Sequence, residues 1–304
     1  MRQMSRFRMM NWNVLKKFCK IRRVAFRRFI MIIDPHLHVW SDDEETYPYG
    51  PSQPHEAGSV ELLFETMADA GVDKAVIVQP IHYLFDNRYV ADCLKRYPDK
   101  LAAQALVDPT SPDAADELER LHREEGFGGM RIHLSRYGDP AGLAASDKDP
   151  LWARARDLGL CFNLFGGAED HAPVEPIIAR FPEVNVVVDH IAGIPVGEPD
   201  SKPLLTNLLN WGQYPNVHVK ISNVGQRSNM PYPHRDTHDM IKRVYDVYGP
   251  ERLMWGTDFP HVFRSCGYRG SLDLIRDHMF FNDDDLEWIL CKTILKLWSF
   301  GEGG

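Results

Sequence analysis

Ile32-Ile33-Asp34-Pro35-His36-Leu37-His38-Val39-Trp40 sets a carboxylate and two imidazoles at alternate positions directly behind an apolar run. Alternate residues of a strand share a face. If Ile32 and Ile33 belong to a buried strand, Asp34, His36 and His38 therefore leave its C-terminal end pointing the same way. Two imidazoles fixed one ligand span apart suit a catalytic cation or a polarised carbonyl. A His-x-His pair on a strand also occurs as an ordinary hydrogen-bonded feature, so the remainder of the chain has to decide between the two.

Outward from this stretch, short apolar runs alternate with helical patterns, the signature of a parallel sheet covered by helices. Eight runs can be counted: 31–34, 74–79, 101–107, 129–134, 160–165, 184–190, 217–222 and 253–258. Helix-favouring segments follow them at 60–70, 86–96, 114–125, 149–158, 174–181, 202–211 and 236–248, with two more at 272–279 and 284–298. Eight strands with eight crossovers predict an α/β fold of the closed (β/α)8 TIM-barrel type. Gly71, Gly126 and Gly159 stand where such helices should stop. The longer connections follow the strands, which gathers them on one face of the barrel, the catalytic one in this architecture.

Length and composition agree with this reading. The 304 residues, 44% hydrophobic and 26% charged, are enough for one barrel with a large core and include no apolar run long enough to span a bilayer. Five widely spaced cysteines without a C-x-x-C pair argue against a disulfide framework and a zinc knuckle, and favour a reducing, cytoplasmic compartment. Residues 1–33 hold ten Lys/Arg and no acid, so against a formal charge of −8 the rest carries −18. An acidic body gives no support to nucleic-acid binding by the folded part. The basic leader, 1–30, has three readings: a transit peptide, a membrane-surface helix, or a segment preceding the true start at Met31. The last is adopted, leaving 31–304 as a single barrel domain.

Alternation assigns lumen-facing polar residues to the strand ends. The first strand gives Asp34, His36 and His38; the second Gln79; the fourth Arg131 and His133; the fifth Asn163. The sixth gives His190, in phase with Val186 and Val188 and leaving Asp189 out of phase; the seventh gives Lys220 and Ser222; the eighth gives Asp258. Taken singly, His190 could be a satisfied core histidine, Arg131 a salt-bridge partner and Asp258 a turn cap. Three histidines and an aspartate converging from strands one, six and eight are hard to derive from packing, since each buried polar group needs its own partner.

The segments Asp34-Pro35-His36-Leu37-His38, Gly129-Met130-Arg131, Val187-Val188-Asp189-His190-Ile191-Ala192-Gly193, Val219-Lys220-Ile221-Ser222 and Met254-Trp255-Gly256-Thr257-Asp258-Phe259-Pro260 resemble the amidohydrolase-related family of the amidohydrolase superfamily. Within it they look most like the sugar-lactone and pyrone-dicarboxylate lactonases. The resemblance implies a barrel hydrolase in which Asp258 activates water while His36, His38 and His190 polarise the carbonyl or hold a divalent metal. Metal-dependent decarboxylases of the family carry a histidine on strand five, and binuclear members carry a bridging lysine or glutamate on strand four. Here Leu160–Phe165 has no histidine, and Arg131 and His133 occupy strand four. At most one weakly held zinc or manganese ion is therefore expected, on His36, His38 and Asp258.

The reading is a hydrolase that opens a lactone or similar cyclic ester of a small polar or carboxylated compound. Asp258, His190, His36 and His38 are its expected catalytic residues, and Arg131, Lys220, Gln79, Tyr49 and Arg264 would orient the substrate. Arg131 hints at an anion, because its planar fork matches a carboxylate. A metal-dependent non-oxidative decarboxylase and a non-catalytic ligand-binding barrel are the alternatives. The expected partner is a small molecule, with a homo-oligomer left open.

Overall fold

The eight expected strands form at Ile33–Leu37 (β1), Lys74–Val78 (β2), Leu101–Gln104 (β3), Gly129–His133 (β4), Cys161–Phe165 (β5), Val186–Val188 (β6), Val217–Ser222 (β7) and Leu253–Gly256 (β8). All their pairings are parallel, in two arrays ordered β1-β2-β3 and β4-β5-β6-β7-β8. This is a computed structural model, and it describes residues 31–50, 52–197 and 201–301. The basic leader lies outside the described residues. Among them no helix is long and apolar enough to cross a membrane.

Main-chain hydrogen bonds join the two arrays at both seams. Between β3 and β4, Ala105 N donates to Gly129 O at 2.9 Å and Arg131 N to Ala105 O at 2.9 Å. Between β8 and β1, Asp258 N donates to His36 O and His38 N to Phe259 O, each at 2.8 Å. The molecule is thus a (β/α)8 barrel, and its second seam places Asp258 beside the two histidines of the opening stretch. The Asp34 carboxylate clamps that seam, accepting from the Thr257 amide and hydroxyl and from the His36 amide. Asp34 is therefore a structural tie between β1 and β8 and not one of the groups gathered at the strand ends. Burial raises its pKa to about 6 against the pull of these hydrogen bonds.

Helices Val60–Ala70, Ala114–Glu125 and Asp149–Leu158 fall on their expected spans, each closed by a left-handed glycine. The helix after β8 begins earlier than expected, at Gly267, because Gly267 and Gly270 weaken its sequence signal. Most of the apolar core lies between strands and helices, where Met130, Ile132, Val186, Val188, Val219 and Trp255 face outward. A smaller cluster fills the lumen early in the strands: Ile33, Val76, Ala102, Cys161, Val187 and Met254, with Trp298 packed against them. The lumen is apolar there and charged further along the strands.

Val187 faces the lumen while Val186 and Val188 face the helices, the reverse of the expected phase on β6. Asp189 consequently continues the lumen face. His190 reaches the lumen by another route: the strand ends at Val188, and His190, Ile191 and Ala192 all adopt left-handed conformations, with φ between 52° and 54°.

Gly129 shows how tightly the β4–β5 pair is made. Its φ is +149°, and a Cβ there would sit 1.9 Å from the Cys161 carbonyl oxygen. Gly129→Ala should lower stability by roughly 3 kcal/mol or more in denaturant unfolding, from backbone strain plus overpacking. Gly138→Ala, at φ +91° with nothing near its Cβ, should cost only about 1 kcal/mol. Equal costs would contradict the close approach.

Candidate active site

A cavity of about 220 Å³ opens at the C-terminal ends of the strands, lined by His38, Trp40, Arg131, His133, Phe165, His190, Arg227, Asp258, His261 and Arg264 among others. Its focus is Asp258, a buried carboxylate held at φ +64° just beyond β8. Asp258 Oδ1 lies 3.5 Å from His38 Nε2, 3.6 Å from His36 Nε2 and 4.0 Å from His190 Nε2. The four residues that the sequence nominated for chemistry are thus brought together. Gly256 makes room for them, since a Cβ there would stand 2.7 Å from His36 Cβ.

Hydrogen bonds on the far side of each ring set its tautomer. His38 Nδ1 is 2.7 Å from the Val78 carbonyl oxygen, which can only accept, so Nδ1 carries the proton and Nε2 presents a lone pair. His36 Nδ1 is 3.2 Å from Asp189 Oδ1, and Lys220 Nζ is 3.1 Å from both atoms. The charged acceptor takes both donors, which leaves His36 Nε2 as a second lone pair; that atom is buried with no hydrogen-bond partner. His190 differs. Its Nδ1 is 2.8 Å from Ser222 Oγ, a hydroxyl that can donate or accept, and with Ser222 as the donor Nε2–H is directed at the cavity.

Two lone pairs therefore face a carboxylate oxygen with no proton between them, an arrangement that calls for a cation. Ligand atoms of His36, His38 and Asp258 lie within 4.8 Å of one another, and nitrogen with carboxylate oxygen is a donor set for a divalent ion. These residues fit a divalent metal. The lumen-facing polar residue of β5 is Asn163, whose amide donates to Asp189 Oδ1 at 3.3 Å.

Beneath the imidazoles lies the residue whose position the sequence misjudged. Asp189 is fully buried and receives His36, Lys220 and Asn163 on Oδ1, while Arg131 Nε approaches Oδ2 at 3.1 Å. Burial alone would raise its pKa, but Lys220, His36 and Arg131 hold it well below the carboxylate range. Burial likewise works to raise the Asp258 pKa, and the His190 imidazole is the first of the influences that hold it below the carboxylate range.

The expected substrate-orienting residues divide. Arg131 and Arg264 line the cavity, the former packed 4.0 Å over the Phe165 ring and the latter paired with Glu56. Lys220, Gln79 and Tyr49 do not line it. Lys220 is fully buried under His36, its charge committed to Asp189. Gln79 donates to the Leu84 and Asp86 carbonyls and pins the loop after β2, and Tyr49 stacks on Tyr83 and donates to Ser41 O. Sequence reading missed Arg227 and His261, which come from the loops after β7 and β8 and carry no strand periodicity. Arg227 has no carboxylate partner among the described residues, and its buried Nε has no hydrogen-bond partner.

Two outcomes are expected. Calorimetric titration of chelator-dialysed protein with Zn²⁺ should show one site, lost in His38→Asn and kept in Asn163→Ala; two tight equivalents would contradict the geometry. Burial also lowers the pKa of His190 and His218 to about 4 and that of His133 to about 2. Such groups bind protons in the unfolded chain before the folded one, so stability should fall as pH drops from about 6.5 toward 4. His218→Asn should flatten this fall by up to about 3 kcal/mol, read as the pH dependence of unfolding. An unchanged slope would show that His218 is not held neutral.

An amidohydrolase family model matches residues 33–300. L-fucono-1,5-lactonase of Burkholderia ambifaria is 30% identical over 78% of this chain and 83% of its own length. 2-Pyrone-4,6-dicarboxylate hydrolase of Comamonas testosteroni is 28% identical over 75% and 76%. An amidohydrolase from Burkholderia multivorans, solved with bound zinc, superposes with a TM-score of 0.76 at 17% identity, covering 88% of this chain and 98% of that one. The chain belongs to the amidohydrolase family.

Proposed function

We propose that this protein hydrolyses a lactone or similar cyclic ester of a small polar or carboxylated compound. The observation that carries the reading is Asp258: a buried carboxylate whose Oδ1 faces three imidazoles at 3.5–4.0 Å on the wall of a small-molecule cavity. The names of the relatives, a fuconolactonase and a pyrone-dicarboxylate hydrolase, support it.

Water attacks an ester slowly unless a positioned base takes its proton as the bond forms. Asp258 is that base, with Oδ2 available because Oδ1 faces the imidazoles. His190, fixed by Ser222, aims Nε2–H at the oxygen on which charge develops. One divalent ion, zinc or manganese, held by His36, His38 and Asp258, would add Lewis-acid polarisation of the carbonyl. Arg131 is already neutralised by Asp189, and Arg264 by Glu56. Arg227 is the guanidinium left to meet a carboxylate or polarised oxygen of the substrate. The absence of a β5 histidine favours hydrolysis over decarboxylation. Cys93, Cys161, Cys266 and Cys291 are free thiols, which supports a cytoplasmic setting.

A panel of lactones followed by pH indicator, with and without Zn²⁺ and Mn²⁺, tests the reaction, since ring opening releases acid. Asp258→Asn should fold with unchanged circular dichroism and lose roughly 10² or more in kcat with KM little altered. A near-normal kcat would sink the assignment.

A further inference from the structure

Three guanidinium groups line the cavity, and the residues beside them decide how many can meet an anion. Arg131 Nε is 3.1 Å from Asp189 Oδ2, and its plane lies over the Phe165 ring. Arg227 donates to the Gly193 carbonyl oxygen at 3.2 Å and has no carboxylate partner among the described residues. The third, Arg264, is half-exposed and gives both Nε and a terminal nitrogen to one carboxylate oxygen of Glu56.

Glu56 does not line the cavity, yet it is built into the wall. Its main-chain carbonyl accepts from the Trp40 indole at 2.9 Å, and two residues on the Gly58 carbonyl accepts from Trp40 N at 2.9 Å. Gly58 passes so close to that indole that a Cβ would stand 2.5 Å from it. The segment is therefore fixed to a buried tryptophan of the cavity lining. Glu56 Oε2 is buried with no hydrogen-bond partner, 3.7 Å from Nδ1 of His261, another lining residue. One carboxylate oxygen thus occupies Arg264, and the other keeps negative charge directly behind the wall.

A substrate anion that reached for Arg264 would meet two obstacles. It would have to displace a carboxylate already held by two charge-assisted donors. It would also lie beside the charge of that carboxylate, and like charges set against each other are a means of rejecting a wrong ligand. A first anionic group finds Arg227; a second finds no cation.

We propose that Glu56 is a specificity-determining residue that limits the substrate to a single negative charge: by cancelling Arg264 it leaves Arg227 as the one guanidinium open to a carboxylate, and it turns dicarboxylates away. This rests on the hydrolase reading for what becomes of the substrate, and on the cavity wall for its charge. Glu56 touches neither substrate nor the reacting atoms; it acts through Arg264.

Valerate and glutarate test this, since they share a five-carbon chain and differ only in that a second carboxylate replaces a methyl group. Their dissociation constants are measured by NMR titration of the full-length wild type, Glu56→Gln, Glu56→Gln/Arg264→Gln and Arg227→Gln. In the wild type glutarate should bind no more tightly than valerate. In Glu56→Gln, which keeps the side-chain shape and loses the charge, glutarate should tighten about fivefold or more while valerate changes little. The double variant should lose that gain, because it comes through Arg264 and not from a loosened fold. Arg227→Gln should weaken valerate by about tenfold. A wild type that prefers glutarate, a Glu56→Gln variant with the wild-type ratio, a gain that survives in the double variant, or valerate binding undiminished in Arg227→Gln would each overturn the proposal. These constants do not require turnover, so a failed lactone panel would sink the hydrolase reading and leave the charge limit to be judged by its own ratios.

Discussion

One buried carboxylate organises the inner end of this site. Asp189 is sealed from solvent between His36, Lys220, Arg131 and Asn163, and its charge survives burial only because two cations and two further donors surround it. Each of those partners is fixed in return. Lys220 cannot reach the cavity, Arg131 is drawn against the wall with one edge occupied, and His36 is turned so that Nε2 points outward. A carboxylate behind an imidazole both selects its tautomer and raises its basicity as a ligand. The positions of the groups that face substrate are thus consequences of a group that never meets it.

The outer half depends on the seam between β8 and β1. Asp34 ties Thr257 to the His36 amide, main-chain bonds hold Asp258 to His36 and Phe259 to His38, and Gly256 lets the two strands close over the His36 side chain. The left-handed backbone at Asp258 is kept by this over-determined junction. Sequence-distant residues from the first and last strands become one cluster because the barrel closes there. The same closure explains why the histidine pair of β1 could not be assigned from its own neighbourhood.

Much of this was legible in the chain. Arg131 and His133 on β4, Asn163 on β5 and Lys220 and Ser222 on β7 face the lumen as strict alternation requires, because those strands are regular through the residues concerned. The sixth strand misled for a physical reason: three valines give no amphipathic contrast, so nothing in them says which face is inward. His190 then reaches the lumen through three consecutive left-handed residues that alternation cannot represent. Gln79, at the end of β2, and Tyr49, in the long loop after β1, were polar candidates whose hydrogen bonds belong to loops. Arg227 and His261 were the converse, loop residues delivered to the cavity by tertiary folding alone.

The central claim is that His36 and His38 hold their protons on Nδ1 and turn two Nε2 lone pairs toward Asp258. Nitrogen-15 NMR of histidine-labelled, chelator-dialysed protein near neutral pH reads this directly, since protonated and unprotonated ring nitrogens have well-separated shifts. The account predicts a protonated Nδ1 and a bare Nε2 for both residues, with the His36 pattern lost in Asp189→Asn. A protonated Nε2 on either histidine in the unaltered protein would mean that the ring already donates to Asp258, and would contradict the cation-binding geometry on which the site has been built.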